Sequence, residues 1–402
     1  MLSLDVWPAL PLAILGFIFQ TSVVNIIHKL KHNDRIRQIH LQCCTNKQIE
    51  TLWTAMQVPF PELVVLYLRG WEYVPVPALP DSFLGQSAPR LRYLCLLAVP
   101  FPGLPKLLLS THLVYLWLLG IPHSGYISPE AMATCLSVLT SLKTLQLEFE
   151  SPQSSPDQEN RRSFPPTRFV LPCLTHFWFK GVNKYLEDLL SRIDAPQVYR
   201  LSTTFFDDIH FHTAELNQFI SRTPTFGGFN GARLVFRCHE ALVWFQSHPA
   251  PSDHGMVEVK ILCQVQGRQV SSLAQICTLS LHLSSRMENL YIHEGLDSSP
   301  NWRDDIEDAE WLDLLLPFTA VKDLYLSKQF TPRIARALQE LTGGRTTEMF
   351  PTLENLFWQQ SRPSEPVHEG IVQFISARQL TDRPIALSVW ERDAAQERYS
   401  GL

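Results

Sequence analysis

A hydrophobic motif, Leu-x-x-Leu-x-Leu, returns along most of the chain and restricts its fold more than any other feature. It is complete at Leu63, Leu66 and Leu68; at Leu91, Leu94 and Leu96; at Leu113, Leu116 and Leu118; and at Leu142, Leu145 and Leu147. Looser copies occupy Ile36, Ile39 and Leu41; Leu174, Phe177 and Phe179; Met287, Leu290 and Ile292; Val321, Leu324 and Leu326; and Leu353, Leu356 and Trp358. Neighbouring copies start about 22 to 34 residues apart, overlapping and exceeding the leucine-rich-repeat period. The last two apolar residues of each copy are two apart, so they project from one side of a short strand. One such strand cannot bury them, whereas strands stacked as a parallel sheet close a continuous core. Each fully buried leucine contributes roughly 1.5–3 kcal/mol, so the stack depends on many copies together.

Between the motifs lie amphipathic stretches suited to an outer helical layer. "NKQIETLWTAM" sets Ile49, Leu52, Trp53 and Met56 on one stripe. "SPEAMATCLSVL" starts with Ser128 as N-cap and Pro129 at the first helical position. "NKYLEDLLSRI" aligns Leu186, Leu189, Leu190 and Ile193, and "TPRIARALQELTGG" offers Thr331 as cap and Gly343 as terminator. "NWRDDIEDAEWLDLLL" reads as an acidic-faced helix with Trp302, Ile306 and Ala309 inward. "EGIVQFISARQL" and "PIALSVW" suggest a closing helix and strand, while "GARLVFRCHEALVWF" and "MVEVKILCQVQ" read as strands of weaker repeat character.

The expected fold is therefore α/β: an irregular leucine-rich-repeat-like solenoid, or horseshoe. Its parallel sheet would line the concave face, with helices and loops on the convex face. The irregularity is visible in the motif itself. Its Asn/Cys position falls on Trp71, Val99 and Ile121, and Pro100 and Pro122 impose extended or turned connections. Residues 1–35 form an N-terminal apolar segment or cap, and 36–402 the repeat domain. A polar, proline-rich loop over 150–168 interrupts that domain.

The apolar segment also bears on location. No charge occurs from Val6 to Ile27, a span long enough for a bilayer. Pro8, Pro11, Gln20, Thr21, Ser22 and Asn25 interrupt it, and Asp5 stands where a secretory leader carries basic residues. A buried end of the fold is the expectation, with a membrane tether through Ala13–Ile27 the alternative. The formal net charge of −5 and the absence of a basic block argue against a nucleic-acid partner. Eight cysteines without a C-x-x-C pair, most of them inside apolar runs, read as buried thiols of a cytoplasmic or nuclear protein.

Catalytic patterns are weak. "GGRTT" lacks the lysine and spacing of a phosphate loop, and no G-x-S-x-G occurs. His210 and His212 share a strand face without a third ligand nearby, and Cys238, His239 and Glu240 would alternate faces. The expectation is a protein that is not an enzyme and has no cofactor or metal. The strand positions pointing away from the core carry more information. Residues between the last two apolar positions are His40, Tyr67, Cys95, Trp117, Gln146, Trp178, Tyr291, Tyr325 and Phe357. Two positions earlier stand Gln38, Tyr93, Tyr115, His176, Asp323 and Asn355. Aromatic residues are enriched at binding hot spots, so a partner-binding surface is assigned to Tyr67, Tyr93, Tyr115, Trp117, Gln146, His176, Trp178, Tyr325 and Phe357. Rings that stack on one another are the competing reading.

Several longer stretches carry a family likeness: "LDVWPALPL", "MQVPFPELVVLYL", "LPDSFLGQSAPRLRYLCL", "PFPGLPKLLLSTHLVYLWLLGIPHSGYISPEAM", "YLEDLLSRIDAPQV", "FISRTPTF", "SSLAQIC" and "LFWQQSRPSEPVHEGIVQFISARQ". Together, over nearly the whole chain, they resemble a large fungal family of F-box proteins. The resemblance implies a repeat region that selects a protein substrate, beside an F-box module that docks on the Skp-type adaptor of cullin–RING ubiquitin ligases. It also implies that the chain starts about where that module would end, so the adaptor is a partner only if an F-box lies upstream. "AILGFIFQTSVV" departs from the family pattern. The expected function is a non-catalytic protein-binding solenoid of this substrate-receptor kind. A repeat scaffold with no ligase link, or a membrane-tethered interaction protein, are the alternatives.

Overall fold

The computed structural model describes residues 10–18, 23–43, 46–70, 76–100, 112–152, 168–206, 213–247, 255–295, 306–341, 348–360 and 366–391. The chain divides into two compact units, one of Met1–Val198 with Arg222–Pro224, the other of Tyr199–Ser221 with Thr225–Leu402.

In the first unit each motif becomes a strand in register with the next. β1 (Leu12–Ile18), β2 (Ile36–Cys43), β3 (Val65–Arg69), β4 (Tyr93–Leu97), β5 (Tyr115–Ile121), β6 (Thr144–Phe149) and β8 (His176–Gly181) form an open parallel sheet in that order. The register runs Ile39–Leu66–Leu94–Leu116–Leu145–Phe177 along one row and Leu41–Leu68–Leu96–Leu118–Leu147–Phe179 along the next. Every residue of these two rows is buried. The leading residues Ile36, Leu63, Leu91, Leu113, Leu142 and Leu174 are fully enclosed beneath them. Pairing of apolar side chains on a period of two fixes the register, because a slip of one residue would turn both rows outward.

Helices α1 (Val23–Leu30), α2 (Asn46–Ala55), α3 (Pro129–Ser137) and α4 (Asn183–Leu190) fill the connections. Ser128 caps α3, its Oγ accepting from the Ala131 amide at 3.2 Å, with Pro129 at the first helical position. The β3–β4 connection, which has no α-helix among its described residues, turns tightly. Gly85 has φ of +56°, and a Cβ there would stand 2.6 Å from the Pro59 nitrogen. β7 (Phe169–Val170) and β9 (Ile193–Asp194) make a separate two-stranded ribbon. The apolar segment Ala13–Ile27 contributes β1, paired in parallel with β2, and the start of α1. No described helix is long and apolar enough to cross a membrane.

The second unit is also an open, mainly parallel sheet, in the order β10 (Arg200–Phe206), β13 (Met256–Leu262), β12 (Glu240–Gln246), β11 (Gly231–Phe236), β14 (Asn289–Glu294), β15 (Asp323–Leu326), β16 (Asn355–Trp358) and β17 (Ala386–Val389). One strand corrects the purely parallel expectation: β12 is antiparallel to both β11 and β13. The short Arg237–His239 link leaves no room for a crossover helix, so the chain turns back as a hairpin. The helices are α5 (Ala214–Arg222), α6 (Gln266–Leu279), α7 (Leu281–Ser284), α8 (Asp308–Leu315), α9 (Thr331–Gln339) and α10 (Glu369–Leu380).

Two local readings of the sequence change here. α8 starts at Asp308, which turns Trp311, Leu314 and Leu315 inward and leaves Ala309 exposed; Ile306 is buried ahead of the helix, and Trp302 lies outside the described residues. Thr331 is the first residue of α9 and not its cap; Phe330 precedes it without a capping side-chain hydrogen bond, and the Thr331 hydroxyl donates to the Ser327 carbonyl at 3.0 Å.

Candidate partner-binding faces

Because side chains alternate along a strand, each sheet has a second face that does not carry the leucine rows. In the first unit its central row reads His40, Tyr67, Cys95, Trp117, Gln146 and Trp178, in direct register across β2, β3, β4, β5, β6 and β8. The adjacent row reads Gln38, Val65, Tyr93, Tyr115, Thr144 and His176. All seven candidates of this unit therefore lie on one face, in two neighbouring rows.

Within the face the rings form three groups. His40 stacks on Tyr67 at 5.8 Å. Tyr93 meets Trp117 edge-on at 5.3 Å and Tyr115 at a tilt at 5.9 Å. His176 stacks on Trp178 at 5.2 Å. Gln146 lies between the last two groups and donates from Nε2 to Glu148 Oε1 at 2.5 Å. Tyr115 is 40% exposed and Trp117 half-buried, so part of the central group's ring surface remains available. The Trp117 Nε1 donor is enclosed and has no hydrogen-bond acceptor.

Cys95 points to the same face but is wholly covered. Burial pushes its thiol pKa up to about 12, against a smaller lowering by its hydrogen bond with Tyr93. Burial likewise drives the Tyr93 phenol well above its usual range, helped by the neighbouring Cys95 and Tyr67. Thiol and phenol are therefore neutral near pH 7, and the centre of the face is aromatic and uncharged.

The corresponding row of the second unit reads Ser202, Glu258, Trp244, Arg233, Tyr291, Tyr325, Phe357 and Ser388. Here the rings are a true stack. Tyr291 lies over Tyr325 at 4.2 Å and 11°, and Tyr325 over Phe357 at 4.4 Å and 6°. Arg233 closes one end with its guanidinium carbon 4.7 Å from the Tyr291 centroid. Trp390 sits against Tyr291 and Tyr325 at 6.0 and 5.7 Å. Tyr291 is buried by this arrangement, while the two candidates Tyr325 and Phe357 are half-buried. Parallel stacking spends the ring faces on one another and leaves mainly edges, so the competing reading describes this unit well. Further along the row, Glu258 accepts from Trp244 Nε1 at 2.6 Å and from Ser202 Oγ at 3.1 Å.

The motif does not reach Arg233, Trp244, Glu258 or Trp390. "ALVWF" is an unbroken apolar run without alternation, and Arg233 sits in a strand buried on both faces. His210 and His212 lie outside the described residues, and among the described residues no group of three His, Cys, Asp or Glu side chains is placed to hold a metal.

No family model matches the chain, and no curated protein matches it. Among solved structures, it is similar to the leucine-rich repeat-containing protein LegL7 from Legionella pneumophila. That likeness covers 92% of this chain and 91% of the other, at 11% identity and a TM-score of 0.29. The architecture given above rests on the register and burial of this chain's own strands.

Proposed function

We propose that the chain is a non-catalytic interaction protein. Its repeat strands present an aromatic face to a protein partner, in the manner of a leucine-rich-repeat horseshoe whose open face is concave. One observation carries this reading: Tyr93, Tyr115 and Trp117 gather on the face without the leucine rows, with Tyr115 and part of Trp117 exposed. Large rings held in a fixed register lose little conformational freedom on binding and offer much contact area. The resemblance to fungal F-box proteins refines this to the substrate-recognition region of a ubiquitin-ligase subunit, with ubiquitin transfer performed by other subunits. A scaffold without ligase linkage is the second reading.

The test compares affinity capture by the wild-type chain, by Trp117→Ala/Trp178→Ala, and by Lys184→Glu on α4. The expected result is a set of proteins lost from the tryptophan variant and retained by Lys184→Glu, with thermal melts showing all three folded. An unchanged set would refute the aromatic face. Co-precipitation with a Skp-type adaptor separates the ligase reading from the scaffold.

A further inference from the structure

The aromatic face of the first unit has a charged border with a regular spacing. One residue before the Gln38–His176 row, Arg37, Val64, Arg92, Val114, Lys143 and Thr175 are joined by a continuous ladder of backbone hydrogen bonds. Val64 donates to Arg37, Arg92 to Val64, Val114 to Arg92, Lys143 to Val114 and Thr175 to Lys143, at 2.8–2.9 Å. Cations thus occupy every second rung, and the row holds no carboxylate. All three are exposed. Among the described residues the side chains of Arg92 and Lys143 make no ion pair. Arg37 reaches Glu62 only at 3.9 Å, and that carboxylate is held at 2.5 Å by Arg90. Arg92 and Lys143 flank Val114, the residue just before Tyr115.

We propose that this face docks an acidic segment of a partner protein in the polyproline II conformation, with a carboxylate at every third residue. The inference rests on the protein-binding reading above and specifies its ligand. The argument is metric. Neighbouring strands are about 4.8 Å apart, so alternate rungs repeat at about 9.6 Å. A polyproline II helix rises about 3.1 Å per residue with three residues per turn, and so returns to the same side every 9.3 Å or so. Carboxylates at i, i+3 and i+6 therefore meet Lys143, Arg92 and Arg37 in turn. The side facing the sheet lies over Tyr93, Tyr115 and Trp117, and aromatic surfaces are what such helices dock upon. A β-strand ligand fits less well, because its residues i and i+3 point to opposite sides.

The test measures binding of the whole chain to Ac-(Glu-Pro-Pro)3-NH2 by isothermal titration calorimetry at low salt. Controls are the same composition with its three glutamates adjacent, Ac-(Pro)9-NH2, Ac-(Lys-Pro-Pro)3-NH2 and single-stranded dT10. The spaced acidic peptide is expected to bind tightest. Arg92→Glu/Lys143→Glu, an exposed pair that leaves the melting curve unchanged, is expected to weaken it about tenfold. Equal affinity for the adjacent-glutamate peptide, indifference to charge reversal, or no binding of the spaced peptide would overturn the inference. Tighter binding of dT10 would replace it with a nucleic-acid surface. If nona-proline binds equally well and Trp117→Ala abolishes it, the inference fails while the aromatic interaction face survives. If no peptide binds and the Trp117→Ala/Trp178→Ala chain still captures the wild-type set of proteins, both fall.

Discussion

Leu116 and Trp117 are adjacent in β5 and point to opposite faces, so paired substitutions there test the architecture directly. Leu116 is fully buried between Leu94 and Leu145 in the register. Leu116→Ala removes three buried carbons and leaves a cavity that flanking rungs close only in part, at a cost of about 2–5 kcal/mol. Against a typical total of about 5–15 kcal/mol this is a large fraction. For a unit of about 200 residues, each kcal/mol lowers Tm by about 2–4 °C, so a central value of about 3 kcal/mol lowers it by about 6–12 °C. Leu116→Asp goes further, because an unpaired carboxylate enters the core, and the unit is expected to lose its cooperative transition. Trp117→Ala gives up an edge-on contact with Tyr93, worth about 0.5–1.5 kcal/mol, and only part of a ring's burial. Urea and thermal melts followed by circular dichroism read all three. A Trp117→Ala loss equal to or greater than that of Leu116→Ala would show that the ring belongs to the core, and the two-faced account of the sheet would be wrong.

Alkaline conditions give a second prediction. Burial raises the thiols of Cys95 and Cys277 to about 12 and that of Cys135 to about 11, from an ordinary value of 9.0. Above pH 9 the unfolded chain releases these protons while the folded chain keeps them. Their contribution is therefore complete below about pH 9 and declines between pH 9 and 12. Urea midpoints measured across that window should fall, and should fall less steeply for Cys95→Ala. In native alkylation followed by mass spectrometry, exposed Cys173 should react well before Cys95, Cys135, Cys263 and Cys277. Ser128→Ala should cost about 1 kcal/mol by urea melting, since it removes the acceptor for the Ala131 amide. No change would mean that this cap is replaced by water.

Much of the repeat architecture is legible because a leucine row has a period. Each triplet from Ile36 to Phe179 falls in the register its spacing implies, as do those at Leu290, Leu324 and Leu356. Ser128 and Pro129 are equally readable from their capping signal, and the Glu369–Leu380 helix falls where "EGIVQFISARQL" suggests one. Other elements give no such signal. "LAILGFI" has no polar alternation, so as a sequence it reads as a terminal apolar cap, yet it pairs with β2. "RLSTTFF" hides β10 behind hydroxyls that find partners, Ser202 on the Glu258 carboxylate and Thr203 on its carbonyl. The direction of β12 depends on a link too short to cross over, a tertiary property no local pattern states. At the candidate faces, sequence alternation gives the side on which a ring lies. It does not give whether that ring stays exposed, as with Tyr115, or is buried by a neighbour, as with Tyr291.

The out-of-sequence position of β13 has a consequence for how the chain is made. Most strands of the first unit can zip onto a rung just synthesised. The edge of β10 that β13 covers stays unpaired until β13 is made, and the gap from Phe206 to Met256 is some fifty residues, against about 22 to 34 between neighbouring copies of the motif. At ribosomal speeds of about 5–20 residues per second, that partner arrives about 3–10 s later. Stop codons or slow codons placed between these two strands should therefore expose nascent chains to chaperones and proteases far more than the same interruptions among the leucine triplets.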